Sequence, residues 1–166
     1  MRRQPPVWLG FEQSPAFQIK AQGYLPKTMS DYLLKISTTQ FAVSDEPVVE
    51  EASASFRIVN GTRYISYVMP ANEDTPAVST IIRVDEESLE IRRSGGIRGK
   101  ILYFPGGAAS SQLDLGFLSL NITNETEYLK IIEMNDNLAV TVKYKLYIND
   151  EFISDCKTEI LLTSAI

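Results

Sequence analysis

The sequence predicts an all-β domain, an antiparallel up-and-down meander of nine or ten strands closed into a barrel. Residues 138–148 alternate strictly, with Leu138, Val140, Val142, Tyr144, Leu146 and Ile148 on one face and Ala139, Thr141, Lys143, Lys145 and Tyr147 on the other. That is the period of a strand with one buried and one wet face. From residue 31 onward, short runs rich in Val, Ile, Thr, Tyr and Phe are separated by clusters of Asn, Asp, Gly and Pro, the punctuation of strands and turns. No run after residue 30 repeats its apolar residues at helical spacing.

The elements follow in order. Residues 1–30 form an N-terminal extension, with Pro5, Pro6, Pro15 and Pro26 interleaved with Trp8, Phe11, Phe17 and Tyr24. Ser14 as N-cap, Pro15 at the first helical position and Gly23 as a stop predict one short helix within it. Residues 31–166 form the barrel domain. Asn60-Gly61 joins runs 54–59 and 62–69 in a tight hairpin, because both residues tolerate positive φ. Further turns are expected at 71–76, 85–88, 94–96, 105–109 and 135–137. Asn149-Asp150 turns the chain into a return strand over 151–162, with Phe152, Cys156, Ile160 and Leu162 on one face. Every connection is short enough for antiparallel neighbours. An open sheet of this size would leave two long edges and closure removes them, so a barrel is preferred; a two-sheet sandwich, which alternates equally well, is the competitor.

Composition bounds the chemistry. At 166 residues, 44% hydrophobic and 22% charged, the chain fits one globular domain with its own core. Its net charge of −5 opposes nucleic acid and anionic membranes, so neither is an expected partner. Arg2 and Arg3 are followed by an apolar run of only residues 7–11, too short for an export signal, and a cytoplasmic location is expected. Cys156 is the only cysteine and histidine is absent. Intrachain disulfides, the usual zinc ligands and nucleophile–histidine pairs are thereby removed. Neither a cofactor nor enzymatic activity is expected.

The segments Leu89-Glu90-Ile91-Arg92-Arg93-Ser94-Gly95, Ile101-Leu102-Tyr103-Phe104 and Leu115-Gly116-Phe117-Leu118-Ser119-Leu120, with Thr123 and the run 140–147, resemble the YwiB-like family of small bacterial proteins. The resemblance spans residues 31–164. It implies a calycin-like (lipocalin-like) β-barrel of unknown function and brings no catalytic residues with it. The family places an aromatic residue before the glycine of its central strand and another a few positions earlier; here Leu115 precedes Gly116, and Ser111 and Gln112 fill the earlier stretch.

Residues 92–100 place Arg92, Arg93, Arg98 and Lys100 on one hairpin of an otherwise acidic chain. With Leu89 and Ile91 facing inward, alternation sends Arg93 inward and Arg92 outward. Arg93 could then hold a carboxylate or phosphate in its planar fork, or pair with an acid of a neighbouring strand, the commoner fate of a buried charge. Gly95, Gly99 and Lys100 only mimic a phosphate loop: three residues separate the glycines, Ile101 stands where Ser or Thr is needed, and a strand follows. Residues 106–111 read as a flexible small-residue loop. The acids at Glu50-Glu51, Asp85-Glu86-Glu87, Asp155 and Glu159 read as turn and strand-end charges, and Cys156 as a packed, inert thiol.

The functional expectation is a noncatalytic binding protein whose barrel interior or mouth takes a small, largely apolar ligand with an acidic group near Arg93. Arg98, Lys100 and Tyr103 are the other candidate contacts. The alternative is a protein-interaction or regulatory module using outer strand faces or the N-terminal extension. Homo-oligomerisation stays open.

Overall fold

The computed structural model describes residues 32–165, which form strands and the connections between them. The expected N-terminal helix and the rest of the extension lie outside the described residues. Ten strands follow one another: β1 (Tyr32–Gln40), β2 (Val48–Val59), β3 (Thr62–Met69), β4 (Val78–Val84), β5 (Leu89–Gly95), β6 (Arg98–Tyr103), β7 (Ala108–Asp114), β8 (Ser119–Met134), β9 (Asn137–Ile148) and β10 (Glu151–Ser164). Each pairs antiparallel with its neighbours in sequence, and β1 also pairs with β10, so the meander closes on itself. Closure leaves no sheet edge at either end of the strand order.

Two turns explain why the register is fixed. Asn60 and Gly61 have φ of 52° and 83°, and Asn149 and Asp150 have 50° and 67°. Both pairs make the left-handed two-residue turn whose twist matches the flanking strands. These turns also mark opposite ends of the barrel, referred to below as the Asn60 end and the Asn149 end. At the Asn60 end Arg63 on β3 forms an ion pair with Glu133 on β8, two strands that are not neighbours in the sheet. The Tyr32 and Phe56 rings meet edge-on at 5.3 Å near the same end.

Alternation puts one face of every strand inside, and the core is built from those faces. Leu34, Ile36, Ile65, Ile82, Val140 and Ile160 are among its buried members. Two bulges shift the phase. Between Thr126 and Tyr128 the β8–β9 register slips by one residue, so Thr126 is buried while Tyr128 faces solvent. Between Phe152 and Ser154 the β9–β10 register slips likewise. An extra residue in one strand swaps the faces on either side of it.

The second bulge corrects the sequence reading of β10. Phe152 does not share the face of Cys156, Ile160 and Leu162; it is exposed and packs its ring on Tyr147 outside, at 5.6 Å. A second correction concerns residues 106–111, read as a flexible loop. From Ala108 onward they belong to β7, which pairs along its length with β8 from Ala108↔Glu125 to Asp114↔Ser119. Small side chains made the segment look like a linker, but its backbone ladder holds it. Residues 115–118 form the β7–β8 turn, with Gly116 at φ 91° and the Leu115 amide donating to the Leu118 carbonyl at 2.8 Å.

Candidate functional site in the barrel interior

The inward residues are not uniformly apolar. Toward the Asn60 end they are Leu34, Ile36, Ile82, Leu89, Val140 and Leu162, whereas further along the same strands polar groups take the inward positions. The register lays these out in two rows. Tyr67, Thr80, Arg93 and Gly99 are successive cross-strand partners on β3 to β6. Gln40, Cys156, Tyr144 and Thr126 are successive partners on β1, β10, β9 and β8. Inward residues on adjacent strands of an antiparallel ladder stand about 5 Å apart, so each row is a chain of neighbouring side chains. Glu50 on β2, opposite Ile36, adds a carboxyl to the same belt.

Arg93 and Tyr103, both candidates from the sequence, are buried inside. Arg98 and Lys100 are exposed on the outer face of β6, so the basic hairpin does not act as a unit. Arg92 also points outward and donates to Glu90 at 3.1 Å. Period two explains the split: 93, 101 and 103 reach inside, while 92, 98 and 100 do not.

Hydrogen bonds knit part of the belt. The Tyr103 and Tyr144 rings meet edge-on with centroids 4.8 Å apart, and their phenols share a hydrogen bond. Tyr144 Oη lies 3.1 Å from Thr158 Oγ1, which lies 3.2 Å from Thr38 Oγ1. Tyr67 stands beside Thr80, its cross-strand partner. Several buried polar atoms have no such partner among the described residues: both side-chain polar atoms of Gln40, Glu50 Oε2, Asn124 Oδ1 and Thr126 Oγ1. Leaving a buried polar atom unmade costs about 1 to 3 kcal/mol, which is why native interiors carry few of them.

Burial governs the electrostatics. It pushes the Glu50 carboxyl up from 4.5 to about 8 and pulls the Arg93 guanidinium down to about 10, the latter opposed by Tyr103. Arg93 therefore keeps its charge at neutral pH while Glu50 holds its proton. The Tyr67, Tyr103 and Tyr144 phenols are all driven upward by the same desolvation and stay neutral donors. The Cys156 thiol is pushed up to about 12, again by burial.

The other acids behave structurally, as the sequence suggested. Asp85 accepts from Thr62 at 2.7 Å and Ser88 at 3.3 Å and tethers the β4–β5 turn; Asp155 pairs with Lys145 at 3.0 Å and Glu159 with Lys157 at 3.2 Å, all toward solvent. Glu50 is the exception that sequence reasoning missed. Its signal was its phase with Ala52 and Ala54 on one face of β2, weak because alanine marks neither inside nor outside. Asn124 and Thr126 share the phase of buried Ile122 and were also missed.

Among the described residues no helix is long and apolar enough to cross a membrane, and no cluster of acidic and cysteine side chains is disposed to hold a metal ion. No curated protein matches the chain. The crystal structure of ywiB protein from Bacillus subtilis has the same fold, with a TM-score of 0.70 and 14% identity over 87% of this chain and 99% of that one. The family described as Domain of unknown function (DUF1934) matches residues 34–160, most of the chain. The chain belongs to that family, in agreement with its resemblance to YwiB-like proteins.

Proposed function

We propose that the protein is a noncatalytic binder of a small amphipathic molecule held inside the barrel. Its apolar body would lie toward the Asn60 end and its polar head, carrying an acidic group, would lie against Arg93. The observation that carries this reading is the polar belt itself: a buried cation, three neutral phenols and several unpartnered acceptors enclosed by an apolar wall. A scaffold with no ligand gains nothing from the unpartnered acceptors among them, whereas a binding site uses a few placed polar groups in an apolar surround. Strand number also supports it. Eight strands enclose a space that side chains just fill or that holds one small ligand, and ten enclose more. Several inward positions are small besides, among them Ala52, Ala54, Gly99 and Ser154.

Native mass spectrometry of the full chain taken from its host tests the reading. The expected result is a noncovalent adduct, released on collisional activation and absent from an Arg93→Met variant with an unchanged far-UV spectrum. A wild-type chain that carries no adduct and takes up none from a host lipid and metabolite extract would falsify it. The protein-interaction alternative draws on one observation, the exposure of Phe117 at 78% with Leu118 beside it on the β7–β8 turn. A Phe117→Ser variant that loses a partner while keeping the adduct would favour it.

A further inference from the structure

We propose that the ligand enters through the wall of the barrel, between β6 and β7, and that Asn124 and Thr126 hold a hydrogen-bond donor on it. The inference rests on the container reading above and adds its doorway. The other ladders are longer: β5 and β6 align from Leu89↔Tyr103 to Arg93↔Gly99, β7 and β8 along the whole of β7, and even the partial β2–β3 ladder runs from Ser55↔Ser66 to Val59↔Thr62. Between β6 and β7 only Arg98↔Asp114 and Gly99↔Leu113 align. Beyond them, Lys100 to Tyr103 and Ala108 to Gln112 pair on their far sides alone.

The slit is closed again below. The β6–β7 connection turns across to β8, where the Gly106 amide donates to the Thr126 carbonyl at 3.2 Å and the Thr126 amide to the Gly107 carbonyl at 3.0 Å. What remains is a stretch of seam without ladder pairs, bounded by a short ladder at the Asn149 end and this bridge at the other. Its inward positions on the β7 side are the small residues Ala109 and Ser111. Beside Ala109, on the side of β7 away from the seam, stands its cross-strand partner Asn124, and the next inward residue on β8 is Thr126. Both are almost fully buried, at 2% and 3%, with Asn124 Oδ1 and Thr126 Oγ1 unpartnered. Unmet acceptors one strand inside a seam without ladder pairs suit a ligand that brings an N–H or O–H donor.

The probe is 8-anilinonaphthalene-1-sulfonate, which joins an apolar body, an N–H donor and an anionic group. Leu102→Cys and Ser110→Cys face outward across the slit and can be joined by a short bis-methanethiosulfonate linker, with Cys156 buried out of reach. Joining them should slow probe entry by about tenfold or more in stopped-flow fluorescence, and reductant should restore the rate. An Asn124→Leu variant should bind the probe about tenfold more weakly while its Tm rises, because an unmet buried acceptor has been replaced by an apolar group of similar shape. A merely structural Asn124 gives the opposite, a lower Tm. Amides of 100–103 and 108–112 that face the slit should exchange with solvent far faster than those of β9. Protection equal to β9, or entry rates indifferent to the linker while Arg93→Met still abolishes binding, overturns the doorway alone. Failure of the wild type to bind the probe overturns the doorway and the container reading together.

Discussion

Arg93 faces Gly99 across the β5–β6 ladder, so the buried guanidinium stands opposite a position that has no side chain. Gly99 is required there for two reasons. Its φ is +146°, and a Cβ would lie 2.5 Å from the Gln112 carbonyl oxygen. A Gly99→Ala substitution should therefore destabilise the protein by roughly 2 kcal/mol or more, since strain and a backbone clash act together. Urea midpoints compare the two proteins, and a difference under a few tenths of a kcal/mol would sink the claim.

Glu50 makes stability depend on pH in an unusual direction. Its carboxyl titrates near 4.5 in the unfolded chain and at about 8 when buried in the barrel. Between those values the folded chain holds a proton that the unfolded chain has lost. The stabilisation is complete below the unfolded value and is lost as pH rises through the folded one. The effect should be of the order of a few kcal/mol, and Glu50→Gln should flatten it. Urea unfolding at about pH 5 and about pH 8 for both proteins reads the difference. Equal pH profiles for the two would show that Glu50 is not buried as a neutral acid.

Much of this fold was legible because antiparallel strands advertise their phase. The run from Leu138 to Leu146 and the Asn60-Gly61 and Asn149-Asp150 turns each match the barrel directly. Arg93 could be placed inside by counting from Leu89 and Ile91. Phe152 could not, since a bulge leaves no composition signal and reverses every face beyond it. The interior site was half legible for a related reason. Arg93 and Tyr103 stand among large apolar neighbours that fix their phase, whereas Glu50 stands among alanines and the unmet state of Asn124 and Thr126 depends on strands remote in sequence.

Cys156 should be inert in the folded protein. The thiol is fully buried, bonds weakly to the Ser154 carbonyl at 3.8 Å, and is held in its protonated form by burial. A thiolate is the reactive species, so a colorimetric disulfide reagent at neutral pH should report no free thiol until denaturant is added, and then one per chain. Prompt reaction of the native protein would contradict the burial of this side of β10.

Tyr144 and Tyr103 should act as a coupled pair in holding the two sides of the barrel together. Their strands, β9 and β6, are separated by β7 and β8 in the sheet, so their contact spans the interior rather than a ladder. Removing either phenol oxygen leaves the other with one fewer partner, at a cost of about 1 to 2 kcal/mol for each single variant. Removing both leaves nothing unmet between them. The double variant Tyr103→Phe with Tyr144→Phe should therefore cost less than the sum of the singles, by about 1 kcal/mol. Thr158 and Thr38 continue the chain from Tyr144, so Tyr144→Phe should be the costlier single change. Additive costs in a double-mutant cycle would mean that the two rings pack together without sharing a hydrogen bond.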